Sequence, residues 1–118
     1  MTKHEDFPYV EHILEAIKDI RESVKNLSKE EFLGNKDKRD ATIRRLEIIG
    51  EAAKNLSNKL KEKYKEIEWS KIIGTRDKVI HAYSSVNLDI IWDIIKIDLP
   101  DLKTKILEIK ADLEKKKG

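Results

Sequence analysis

The stretch DKRDATIRRLEIIGEAAKNLSNKLKEK, residues 37–63, decides the fold. Its apolar positions include Ala41, Leu46, Ile49, Ala52 with Ala53, Leu56 and Leu60. From Leu46 onward they recur at three- and four-residue steps, the period of one helix face. The pattern predicts one long amphipathic helix from about Asp37 to Lys63. Gly50 lies inside it and costs about 1 kcal/mol against Ala. A glycine there reads better as room for a closely packed neighbour than as a hinge. Arg44 and Glu51 are seven residues apart and share a face. They are either solvated charges beside the apolar stripe or groups that orient a site.

Working back towards the N-terminus, Asp6 can cap a helix with Pro8 in its first turn. Tyr9, Ile13, Ala16 with Ile17, Ile20 and Val24 then mark an inner stripe running to about Asn26. His12 falls beside that stripe and reads as a boundary histidine; a role in a cleft with His81 has no support in the sequence. Ser28, followed by Glu31 three residues on, fits a capping box that opens a short turn through Leu33, and Gly34-Asn35 closes it.

Towards the C-terminus, Tyr64 to Glu68 reads as a connection and Ser70 as the cap of the next helix. That helix carries Ile72, Ile73, Val79 and Ile80 on its apolar side and ends at Ser84-Ser85. Gly74 interrupts it, either for a neighbour's backbone or for substrate. Asn87 is the expected cap of the last helix, with Leu88, Ile91, Trp92, Ile95 and Leu99 as its inner face. Pro100 should end or kink it before the pattern resumes through Leu102, Ile106, Ile109 and Leu113. The residues from Lys115 to Gly118 read as a frayed, solvated tail. No stretch alternates with period two, and no hairpin or Gly-rich phosphate loop is present. The expectation is an all-α protein, an antiparallel bundle of four to five helices, with one domain over residues 1–118. Its Ile-rich stripes, with Trp92 among them, exceed what one small core needs, which points to a homodimer.

Composition narrows the function. Charged residues are 41% and aromatics 6%, so the core must be aliphatic. Lys and Arg total 25 against 23 Asp and Glu, a net +2 that disfavours wrapping DNA by bulk charge while permitting a local basic patch. With no cysteine there is no disulfide, thiolate zinc site or Cys nucleophile. His and carboxylates do not cluster at ligand spacing, so neither a metal nor a cofactor is expected. No apolar run approaches a membrane span and no signal-peptide core is seen, so a cytoplasmic, non-membrane protein is expected.

The chemistry concentrates in residues 76–83, RDKVIHAY. Arg76, His81 and Tyr83 put a permanent cation, a group titrating near neutral pH and a phenol within eight residues. Arg is shaped to grip a phosphate, and His is the commonest acid–base group. Phosphodiester chemistry is the sharper reading. From spacing alone the plainer one is stronger: a helix with a surface Arg, a half-buried His and a core Tyr.

Arg-x4-His-x-Tyr, set in its surroundings, resembles the signature of the HEPN superfamily. Within it the chain is similar to the HepT group, the toxin halves of HepT/MntA toxin–antitoxin pairs. Supporting stretches stand in order: residues 6–13, the run from Arg44 to Ala53, Trp69, residues 91–95 and residues 99–102. Asp77 departs from the Asn often found there, and an acid at that position can alter the field on Arg76 and His81. The resemblance implies a HEPN-like homodimer with the Arg and His of both copies facing one cleft. It implies an endoribonuclease with Arg76 and His81 as catalytic residues, RNA as substrate, and Asp77, Arg44 and Glu51 in support. It also implies an MntA-like nucleotidyltransferase antitoxin that silences the toxin by attaching AMP to Tyr83. A second reading is a non-catalytic helical subunit that binds nucleotide or RNA in a nucleotidyltransferase complex, and a third is a plain dimeric scaffold.

Helix geometry complicates the site. Five residues turn about 500°, so Arg76 and His81 lie roughly 140° apart on an ideal helix. A distorted helix near Gly74, the reach of Arg, or a partner chain could bring them together.

Overall fold

The computed structural model describes residues 5–84 and 87–117, apart from the side chains of Tyr83, Lys116 and Lys117. All its regular structure is helical, as the patterning predicts. Helix α1 (Asp6–Val24) buries Val10, Ile13, Ala16, Ile17, Ile20 and Val24, the expected stripe except that Val10 is buried where Tyr9 was expected. It packs on α3 (Lys36–Lys54) and on α8 (Leu99–Lys117). Between α1 and α3 lies α2 (Lys29–Leu33). Its capping box is complete, with the Ser28 hydroxyl accepting from the Glu31 N–H at 3.1 Å and the Glu31 carboxylate accepting from the Ser28 N–H at 2.8 Å.

The long helix expected over residues 37–63 is two helices. After α3 the chain breaks, and α4 (Asn58–Lys63) begins with Ser57 as its cap. The Asn55 side-chain amide donates to the Glu51 carbonyl at 3.0 Å, and the Ser57 hydroxyl accepts from the Leu60 N–H at 3.1 Å. Stop and start signals thus override a hydrophobic period that stays in phase through Leu56 and Leu60, both buried. Asp6 is not a cap. Its carboxylate accepts from the Ser57 N–H at 2.8 Å and the Ser57 hydroxyl at 2.7 Å, tying the start of α1 to the α3–α4 junction.

The next expected helix is also divided, into α5 (Trp69–Ile73) and α6 (Thr75–Ser84). Ser70 lies inside α5, and the cap position is Glu68. Gly74 closes α5, its N–H donating to the Ser70 carbonyl at 2.9 Å. The atoms nearest an added Cβ would be α5's own carbonyls, so Gly74 makes room for no neighbour. Gly50 does. A Cβ there would sit 3.3 Å from the Ile73 carbonyl oxygen, which is why α3 and α5 pack so closely. Trp69 is buried, with its indole N–H donating to the Tyr64 carbonyl at 3.1 Å. The Tyr64 hydroxyl donates to Asp112 of α8.

The last helical path runs through α7 (Asp89–Asp93), a wider π-helical turn (Ile94–Asp98) and α8. Pro100 does not end it. Proline removes an i→i−4 hydrogen bond, and the π turn just before it absorbs that loss. Asn87 is not the cap of α7, which is Leu88, but its N–H donates to the Ala82 carbonyl at 2.7 Å. Helix α8 continues to Lys117, so the lysine run extends the helix where a frayed tail was expected, and Gly118 lies outside the described residues. The Ile-rich stripe is largely used internally. Ile91, Ile94, Ile95 and Leu99 are buried, and Trp92 packs on buried Phe32 with ring centroids 5.3 Å apart. Ile80, Ile97 and Leu107 remain exposed. No helix among the described residues is long and apolar enough to cross a membrane.

Candidate active site on helix α6

Helix α6 is anchored by two apolar side chains, Val79 and Ala82, both buried. The chain enters it from α5, which Gly50 lets settle against α3. With that face inward, Arg76, Asp77, Lys78 and His81 are all exposed. His81 is therefore not the half-buried histidine of the plainer sequence reading. The structure also removes one of the three routes to a composite site. The break at Gly74 precedes Arg76, and residues 75–84 form an uninterrupted α-helix.

Arg76 reaches back towards α3. Its Nε lies 3.5 Å from Glu47 Oε2, and its Nη1 lies 3.5 Å from Asp77 Oδ1. Glu47 also faces Arg44, with Oε1 3.8 Å from Nη1. These contacts are longer than good charge-assisted hydrogen bonds, and the Arg76 side chain is 56% exposed. Loose, solvated ion pairs of this kind contribute little stability, so an incoming phosphate can displace them.

Arg76 borders an open groove of about 450 Å3 between α1 and α3. Arg44 and Glu51 both line it, so the face they share does meet Arg76. His12 lines it too, exposed and edge-on to Tyr9 at a centroid distance of 6.0 Å. His81 does not line this groove, nor a second one of about 280 Å3 bordered by Ile43, Arg44, Glu47 and Ile80. One copy of the chain thus gathers Arg76, Arg44, Glu51 and His12 on one side and leaves His81 elsewhere on α6. The Tyr83 side chain lies outside what is described. Among the described residues, no group of three His, Asp or Glu side chains is placed to hold a metal ion.

Glu47 is the site residue that sequence reasoning passed over. The signal was present, since Glu47 is three residues after Arg44 and four before Glu51 and so continues their face. Tyr9 was read only as core, yet it is partly exposed to the groove.

A helical bundle carrying Arg-x4-His-x-Tyr on α6, with Arg76 and His81 exposed, defines the class. The chain belongs to the ribonuclease HepT-like family, whose model matches residues 13–109. Three relatives illustrate this. A "probable ribonuclease HepT" of Thermococcus cleftensis is 43% identical over 107 residues, 91% of this chain and 96% of its own. A "putative RNase" of Caldanaerobacter subterraneus subsp. tengcongensis is 44% identical over 102 residues, 86% of this chain and 91% of its own. A "gamma-glutamylcyclotransferase and putative RNase" of Methanocaldococcus jannaschii is 44% identical over 110 residues, 93% of this chain but 50% of its own. The chain therefore spans about half the length of that methanogen relative. No solved structure matches the chain.

Proposed function

We propose that the protein is an endoribonuclease of the HepT type, acting as a homodimer without need of a metal. The observation that carries this reading, beside family membership, is the exposure of Arg76 and His81 on a helix whose buried side chains, among those described, are Val79 and Ala82. Neither side chain is consumed by the core. Because α6 is regular, the two diverge within one copy, so the productive pair is Arg76 of one copy and His81 of its partner. A two-fold axis generates two such pairs facing one cleft.

In that cleft His81 accepts the proton of a ribose 2′-OH as the 2′-oxygen attacks phosphorus. The new O2′–P bond forms and the P–O5′ bond breaks, with a proton delivered to the leaving 5′-oxygen by the second His81 or by water. Arg76 stabilises the charge on the pentacoordinate phosphate. The products are a 2′,3′-cyclic phosphate and a 5′-hydroxyl. DNA lacks the nucleophile and is not cut this way. Arg44, Glu51 and Asp77 tune the field around Arg76, as does Glu47.

Purified protein should cleave RNA in EDTA and leave 2′,3′-cyclic ends. Arg76→Ala and His81→Ala should each lower the rate by about 100-fold or more while keeping helicity and mass in solution. Wild-type rates in either variant would remove that residue from the mechanism. In the cell we place the protein in the cytoplasm, as a toxin held in check by an MntA-like nucleotidyltransferase that attaches AMP to Tyr83.

A second reading is a non-catalytic nucleotide- or RNA-binding subunit of such a nucleotidyltransferase complex. It is favoured by the single-copy geometry, in which Glu47 and Asp77 flank Arg76 and His81 does not line its groove. Binding of RNA with no cleavage would decide for it.

A further inference from the structure

We propose that the groove between α1 and α3 is a nucleotide subsite that takes the base next to the phosphate held by Arg76, and prefers bases carrying an amino group. This rests on the reading of the protein as an RNA-binding nuclease. Four features meet there. Arg76 and Arg44 stand at its border with Glu47, supplying cations for a phosphate. Tyr9, partly exposed, and His12, exposed, offer two rings on one turn of α1. Every base has a π-face, so such rings hold single-stranded RNA without demanding a sequence. The volume, about 450 Å3, lies within the range of small-molecule sites.

The fourth feature gives the preference. Glu51 and Asn55 lie one helical turn apart and both line the groove. The Asn55 amide nitrogen is already donating to the Glu51 backbone carbonyl at 3.0 Å. That uses one of its two amide N–H donors and leaves its side-chain oxygen open as an acceptor. The Glu51 carboxylate is acceptor-only when ionised. The Glu51 carboxylate, with the Asn55 oxygen beside it, can accept from the exocyclic amino group of adenine, guanine or cytosine. Uracil has no exocyclic amino group, and its two carbonyl oxygens face repulsion from the acceptor-only Glu51 carboxylate. Glu47 lies beside Arg44 and Arg76 at the phosphate end, while Glu51 lines the groove beside Asn55.

The test uses fluorescein-labelled 2′-O-methyl oligonucleotides, which have no 2′-hydroxyl and cannot be cut. Anisotropy titrations of the purified protein should show adenosine-rich strands binding more tightly than uridine-rich strands of equal length. His12→Ala and Tyr9→Ala should weaken both by about tenfold, and Tyr9→Phe, which keeps the ring, should not. Glu51→Gln should erase the preference between the two strands, because it removes the groove's acceptor-only carboxylate. Equal binding of both strands by the wild type, or unchanged binding by folded His12→Ala, overturns the subsite. Cleavage is read separately on all-ribose strands. A wild type that shows the binding pattern but does not cut refutes the nuclease reading and supports the subsite. One that cuts while every variant binds alike refutes the subsite alone.

Discussion

At the scale of single residues, the site depends on what each side chain is held by. Arg76 stands out in the sequence as a candidate cation for a phosphate, but its tether to Glu47 does not, since the two are far apart in sequence and meet only when α6 docks on α3. His81 was legible as an acid–base candidate. Its exposure was not, because Val79, Ile80 and Ala82 around it gave it an apolar setting that the helix turns elsewhere. Away from the site, Tyr64 shows how burial leaves a measurable mark. Burial raises the pKa of its phenol well above the usual value, and the hydrogen bond to Asp112 adds to that. In the unfolded chain the phenol loses its proton near pH 10. Above that pH the native state binds more protons than the unfolded one, so stability falls as pH rises. Chemical denaturation followed from pH 8 to 11 should show this extra loss in the wild type and not in Tyr64→Phe. Parallel curves for the two proteins would refute it.

At the scale of elements, hydrophobic period predicted which faces turn inward, and short polar signals decided where helices stop. Ile13, Ile17, Ile20, Leu46, Ile49, Ile106 and Ile109 are all buried as the period requires. The break at Asn55–Ser57 escaped it because the apolar spacing carries across, whereas Gly74 reads as an interruption in the sequence and the helix does divide there. The π turn before Pro100 escaped it too, since a proline in a periodic stretch reads as a stop, while a widened turn lets the helix continue. Gly50 was read correctly as a contact point. The contact is with backbone, which cannot swing aside like a side chain. Gly50→Ala gains about 1 kcal/mol of helix propensity. It should still lose roughly 1 kcal/mol net through overpacking against the end of α5, seen as a lower denaturation midpoint with unchanged slope. A higher midpoint would mean that α5 yields freely. Because α5 leads directly into α6, the same variant should also displace Arg76 and slow RNA cleavage.

At the scale of the whole molecule, the bundle was legible in the sequence, while the pairing of copies rests on a different footing from the one the sequence suggested. The Trp92 stripe that seemed surplus is covered by Phe32 and the rest of the core. The case for a dimer now stands on the divergence of Arg76 and His81 along a regular α6. Control belongs to this scale as well. An AMP group on Tyr83, two residues from His81, would bring a phosphate that competes for Arg76 and a nucleotide that blocks the cleft. Co-expression with a competent MntA-like partner should add mass in AMP units at Tyr83 and abolish cleavage, and Tyr83→Phe should stay active and escape silencing. An inhibited complex with unmodified Tyr83 would mean that the partner masks the cleft instead.

The central claim, that one working site takes Arg76 from one copy and His81 from the other, is tested most directly by mixing two inactive proteins. Arg76→Ala and His81→Ala are unfolded together, refolded as a mixture and assayed on RNA in EDTA. Random pairing makes about half the dimers mixed, and each mixed dimer regains one intact Arg76–His81 pair across the two-fold axis. The account predicts that activity returns to about a quarter of the wild-type level. A mixture as inactive as its two parents, with the wild type treated alike remaining active, would contradict it.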